Sequence, residues 1–243
     1  MRTAPATPPF VLRSGDFLFR WRSYLPLLLV PLVLAGIARF QYPFGSHAAD
    51  LIWEAGCVVL ALSGLALRVA TVGVAAPGTS GRNTRRQKAR SLNTTGPYSV
   101  VRHPLYLGNV VIVLGLSLFP HAWIVPPMVA VLAVAYYACI ARREEQFLHD
   151  RFGAAFTTWA ARVPAIVPAP WRWTPPARAF DWRVVARREF YGLTVVLVTP
   201  LGLDILEDLH ETGTFDLDPL WTVSAVLGAV VFVVLRSLKK RRA

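Results

Sequence analysis

GPYSVVRHPLYLGN, residues 96–109, joins a polar, basic loop to a long apolar run. Two glycines, two prolines, two tyrosines, an arginine and a histidine crowd a place where a membrane protein ordinarily keeps plain loop or plain helix. Pro97 fixes its own φ and biases Gly96 toward an extended or turn conformation, so the pair is expected to stop or reverse the chain. Pro104 lacks a backbone donor yet suits the first turn of a helix, which puts His103 at the cap of a helix beginning near Leu105. The unpaired N–H groups and positive dipole end of that helix then sit beside Arg102 and His103, where an anionic group is favoured. The plainer reading of these residues is a Pro-initiated membrane helix with interfacial Tyr and Arg anchors.

Hydrophobic residues make up 54% of the 243-residue chain and charged residues 16%, with a mean hydropathy of +0.44. That is too apolar for an ordinary soluble domain and implies a membrane protein. A helix needs about 20 residues to cross a hydrocarbon layer of about 30 Å. Runs of suitable character lie at 24–40, 51–75, 191–206 and 220–238, and a longer one at 105–141 is interrupted by Phe119-Pro120-His121. The interruption predicts two helices joined by a tight turn, giving an all-α, polytopic membrane bundle of about six crossings.

Charge placement supports this alternation, because lysine and arginine accumulate on the cytoplasmic side. Apart from Arg39, Arg68 and, near the end of the last run, Arg236, every lysine and arginine falls before the first run, between the second and third, between the fourth and fifth, or after the sixth, whereas Asp50, Glu207, Asp208, Glu211, Asp216 and Asp218 mark the opposite side. The expectation is an integral protein of a bacterial inner membrane with both termini cytoplasmic. The net charge of +12 is then a basic juxtamembrane surface facing anionic lipid, so nucleic-acid binding is not required to explain it.

Residues 1–23 read as a flexible arm, 24–190 as the core and 191–243 as two added crossings with a basic tail. Arg68 either snorkels to the interface, the favoured reading, or lines a cavity. Residues 76–95 form a solvated loop or a cover for the adjacent site. A second informative stretch begins at Arg142, RREEQFLHDRFGAAFTTWAARVPAIVP. Leu148, Phe152, Ala155 and Trp159, broadened by Phe156, recur at helical spacing and predict one amphipathic helix along the membrane or bundle. Glu144 falls on its apolar side and needs a partner. The alternative for Glu144-Glu145 is a charge pair complementing a helix N-terminus. His149 is placed to contact Glu145, but no His, Cys or carboxylate group has metal-ligand spacing, and no metal is assigned. The tract from Val163 is expected to return extended along the interface. The last two crossings show no chemistry, with Asp204 and Glu207 expected to face water.

These two stretches, in this order and separated by a membrane hairpin, resemble the isoprenylcysteine carboxyl methyltransferase family and its phospholipid methyltransferase relatives. The matching residues are Gly96, Pro97, Tyr98, Arg102, His103, Pro104, Tyr106 and Gly108, then Glu144, Glu145, Leu148, Phe152, Gly153, Val163, Pro164 and Pro168. The resemblance implies S-adenosylmethionine as cofactor, in a pocket at the cytoplasmic side. Tyr98, His103, Tyr106, Leu107 and Gly108 would line it, Glu144 and Glu145 would close it, and Arg102 and Glu144 would be the catalytic pair. Family members usually carry tyrosines at the positions of Phe156 and Trp159, so no hydroxyl role transfers there. An arginine that some members use to hold a carboxylate acceptor corresponds to Ile140.

Methyl transfer from a sulfonium needs no metal, and alignment in a dry site supplies much of its acceleration. No strand followed by GxGxxG occurs, so the soluble dinucleotide-binding design is absent. The function expected is methyl transfer to a membrane-embedded lipophilic acceptor, either a lipid headgroup amine or phosphate or a prenylcysteine-like carboxylate. The rival readings are an NADPH-dependent membrane reductase resembling sterol reductases and a non-catalytic lipid-binding protein.

Overall fold

The computed structural model describes residues 25–79 and 89–240. The arm of residues 1–23, most of the basic loop and the end of the tail lie outside the described residues. Eight α-helices occur among those described, and no strand. They are α1 (Val30–Ile37, continuing a 3-10 turn), α2 (His47–Val74), α3 (Pro97–Val100), α4 (Pro104–Ser117), α5 (Val125–Phe152), α6 (Ala154–Arg162), α7 (Trp182–Glu211) and α8 (Pro219–Lys240).

Four of these, α2, α5, α7 and α8, are long and apolar enough to cross a membrane. The expected six crossings include two shorter helices, α1 and the 14-residue α4. At 1.5 Å per residue, α4 extends only about 21 Å. Prolines bound it on both sides: Pro104 at its first position and Pro120 just beyond its end. The turn into α5 is tight, as expected, and His121 within it takes a left-handed φ of 49°.

Helix α2 is the hub, packing on α4 along one face and on α7 along another, while α8 covers α7 and α5 covers α4. Its contact with α4 is made by small residues. A Cβ on Gly64 would stand 2.6 Å from the Gly108 carbonyl oxygen, and one on Gly115 would stand 2.7 Å from the Cys57 carbonyl oxygen. Backbones this close leave no room for a side chain at Gly64, Gly108 or Gly115, and small residues are the usual device for joining helices in lipid. Ala61, Leu65, Ile112, Phe119, Val196 and Trp221 fill the core around this seam. Outward rows such as Val223, Val226, Val230, Val233 and Val234 of α8 are exposed and apolar, as a lipid-facing surface requires.

Helix α5, with 28 residues, extends about 42 Å, more than the hydrocarbon layer of about 30 Å. Its last turns, which carry Glu144 and Glu145, therefore run on beyond the apolar layer as continuous helix. The acid pair lies in the second half of α5 and not at the start of a helix of its own. The expected single amphipathic helix is instead two. Gly153, at φ 52° and ψ −122°, ends α5 and starts α6, a backbone state reserved for glycine. The break splits the stripe, burying Phe156 and leaving Ala155 exposed.

Gly64→Ala is predicted to destabilise the protein by about 1–3 kcal/mol through overpacking against backbone. Gly56→Ala on the same helix, where a Cβ meets nothing within 4 Å, should leave the thermal midpoint in detergent unchanged or raised.

Candidate functional site

Residues 96–103 are held by the segment returning after α6. Gly96, at φ 59°, donates its N–H to the Thr174 carbonyl at 2.9 Å. Ala169 N–H bonds to Val100 O at 3.0 Å, and Arg102 N–H to Pro164 O at 2.9 Å. Ser99 Oγ donates to Gly96 O at 2.7 Å and accepts from Thr174 N at 2.9 Å. Trp159 Nε1 donates to Tyr98 O at 3.1 Å, giving that residue a hydrogen-bonding role where no hydroxyl is available. The Pro- and Trp-rich tract is thus the brace of the first motif.

Pro104 opens α4 with His103 as its cap residue, and no side chain satisfies the cap. The imidazole turns instead toward α5. His103 Nε2 lies 2.9 Å from Glu145 Oε1; a carboxylate paired with arginine only accepts, so Nε2 carries the proton. Arg102 Nη1 pairs with the other oxygen of Glu145 at 2.8 Å. Tyr106 donates its hydroxyl to Glu144 Oε2 at 2.9 Å, and His103 Nδ1 lies 3.7 Å from that oxygen. The His103 and Tyr106 rings stack at 5.5 Å, and Tyr106 stacks on Tyr137 at 4.9 Å. Burial, with the charge of Glu144 adding to it, pushes the Tyr98 hydroxyl above the ordinary tyrosine range.

The two motifs therefore meet through Arg102, His103, Tyr106, Glu144 and Glu145. Leu107 lies one turn below His103 on α4. Gly108 points the other way, into the α2 seam, with Arg68 Cγ 2.6 Å from its would-be Cβ. Glu145 does not pair with His149, whose nearest acid is the exposed Asp150. Ile140 is completely buried. An open cleft of about 450 Å³ borders Arg102 on the side of α6 and the return segment, lined among others by Val163, Pro164, Val167 and Trp171.

Arg68 does not snorkel. Glu189 of α7 grips it in a fork, at 2.7 Å to Nε and 2.9 Å to Nη2, and Asn109 Oδ1 accepts from Nη1 at 2.5 Å. Sequence reasoning missed Glu189 because it sits in a basic run, ARREF; an arginine in an apolar helix asks for such an acid elsewhere. The bond to Asn109 ties α2 and α7 to the last residue of the first motif.

Fold and site together define a polytopic membrane protein with a polar site where α4 begins and α5 leaves the apolar layer. A family model described as phospholipid methyltransferase matches residues 55–155, the span from α2 to the start of α6. The chain belongs to this phospholipid methyltransferase family of integral-membrane methyltransferases. It is 32% identical over 203 residues to the cobalt-zinc-cadmium resistance protein CzcN of Cupriavidus metallidurans, covering 80% of this chain and 88% of that protein. It is also 31% identical over 150 residues to the nickel-cobalt-cadmium resistance protein NccN of Alcaligenes xylosoxydans xylosoxydans, covering 61% of this chain and 62% of that protein. No solved structure matches.

Removing one partner of a buried ion pair costs about 3–5 kcal/mol, whereas replacing both by apolar groups is often neutral. Glu189→Leu alone is predicted to lower the thermal midpoint sharply, and Arg68→Met with Glu189→Leu to recover most of the loss, as read by thermal unfolding in detergent.

Proposed function

We propose that the protein transfers a methyl group from S-adenosylmethionine to a lipid headgroup at the cytoplasmic face of a bacterial inner membrane. What supports this is the convergence of Arg102 and His103 on one acid of the pair while Tyr106 takes the other.

The donor set suits the cofactor. Carboxylates and stacked tyrosine faces both attract a cation such as a sulfonium, and carboxylate oxygens accept from ribose hydroxyls. Tyr98, His103, Tyr106, Leu107, Glu144 and Glu145 would hold it, with Gly108 setting the helix contact that fixes their height. When bound, it supplies an electrophilic methyl carbon on a positively charged sulfur. Arg102 and His103 hold Glu145 in one orientation, and Tyr106 does the same for Glu144. Arg102 then serves the acceptor as well. The residue borders the cleft, so an anionic headgroup placed there meets its positive charge. Alignment of acceptor and methyl carbon provides the acceleration.

The relatives are named for resistance to cobalt, zinc, cadmium and nickel. To this chain we carry the proposal that the methylated lipid matters under divalent-metal load. Lipid mass spectrometry of cells with and without the gene, grown with and without added zinc, is expected to show one headgroup class shifted by a methylene; an unchanged lipidome would rule the lipid acceptor out.

Purified protein is expected to bind S-adenosylhomocysteine and not NADPH in calorimetry. Glu145→Gln and His103→Ala should each weaken binding about tenfold or more, a loss of at least about 1.4 kcal/mol. NADPH binding in place of S-adenosylhomocysteine would favour a reductase, and affinity indifferent to both substitutions would favour a non-catalytic lipid binder.

A further inference from the structure

The other end of the bundle holds a second polar assembly. Asp204 and Glu207, expected at the water boundary, are 2% and 1% exposed. They face α2, whose Glu54 is 0% and Asp50 3% exposed. On α2, His47, Asp50 and Glu54 follow one another at intervals of three and four residues; on α7, Asp204, Glu207 and Asp208 share a face in the same way. Ligand atoms of Asp50, Glu54 and Glu207 all lie within 4.8 Å of one another, and so do those of His47, Asp204 and Asp208. Asp50 stands 18 residues before Arg68, about 27 Å along α2, so this assembly is separate from the His103 site.

The neighbours satisfy only part of it. His121, the left-handed residue of the α4–α5 turn, lies 2.8 Å from Asp50 Oδ1. Trp221 Nε1 donates to Glu54 Oε2 at 2.6 Å, and Tyr42 donates to Asp208. Both oxygens of Glu207, Glu54 Oε1 and Asp204 Oδ2 are buried, and no residue outside this group of acids donates a hydrogen bond to them. Among the described residues no lysine or arginine ion-pairs with any of these five acids. Several carboxylates out of water and unpaired cost several kcal/mol each unless something positive joins them. Side chains at such spacings on facing helices are how helical bundles build carboxylate metal centres, and outer hydrogen bonds like those of His121 and Trp221 orient the ligands.

We propose that Asp50, Glu54 and Glu207 form a binding site for a divalent first-row transition cation, with His47, Asp204 and Asp208 as the outer station through which it enters. The carboxylates of the inner site suit a hard divalent ion such as manganese, the imidazole of the outer station suits nickel and zinc, and neither set offers the sulfur that a soft monovalent metal prefers. His47 is exposed at the start of α2 and gives the ion a first ligand from solution. This inference does not rest on the methyl-transfer reading.

The test is a cobalt(II) titration of the full chain in detergent, stripped beforehand with chelator, followed by d–d absorption and by thermal unfolding. Wild type is expected to bind cobalt saturably and to gain thermal midpoint, and zinc should displace the cobalt. Glu207→Gln, nearly isosteric, should raise the Kd at least about tenfold and abolish the midpoint gain, whereas Asp216→Asn, an exposed acid, should behave as wild type. Asp50→Asn repeats the measurement if circular dichroism shows that Glu207→Gln has lost helix. The proposal is overturned if wild type shows no saturable uptake, or if the Glu207 and Asp50 variants bind cobalt as wild type does. It is equally overturned if metal-free wild type takes up no ion and the Glu207 variant is simply more stable, which assigns the carboxylates to a protonated set.

Discussion

A carboxylate carried out of the membrane on the end of a long helix has to be matched, and Glu145 is matched twice. Arg102 holds one oxygen at 2.8 Å and His103 the other at 2.9 Å. Both partners come from a segment with almost no helix of its own, so their position depends on Pro104 starting α4 where it does and on the return segment bonding residues 96–102 from behind. Each support is local and cheap, and together they leave Glu145 one orientation. Side chains held this way lose little further freedom when a ligand arrives, which is what preorganised binding means.

The bundle behind the site uses two different solutions to the problem of polar groups among apolar helices. Near the His103 end, Arg68 and Glu189 neutralise each other and recruit Asn109, so that α2, α4 and α7 are tied at one level. At the far end the acids outnumber their partners, and three donors from the loops and α8 reach only some of the oxygens. The first arrangement is closed. The second is open to a positive ion, and the closeness of α2 to α4, set by Gly64 and Gly108, keeps both at fixed heights along the same helix.

Much of the site was legible in the sequence, because proline and glycine speak about backbone directly. Pro104 placed His103 at a helix cap, and Glu144, on the apolar side of the amphipathic stretch that follows the fourth crossing, announced that it needed a partner. Where reading by segment failed, the partner lay on a distant helix. Periodicity assigns Asp204 and Glu207 to an end of a crossing but says nothing of what stands opposite, and α2 supplies Asp50 and Glu54 across a separation of about 150 residues. Arg68 was misread for the same reason, since Glu189 is 121 residues away. The split of the amphipathic stripe at Gly153 is a different failure: helical spacing continues through the break, and only the positive φ reveals it.

The account stands on contact between His103 and Glu145, and a double-mutant cycle measures that contact. Thermal unfolding of His103→Ala, Glu145→Ala and the double variant should give a coupling of about 1 kcal/mol or more, as residues in one hydrogen-bonded network do. Strict additivity of the two losses would mean that the motifs do not meet, and the site described above would not exist.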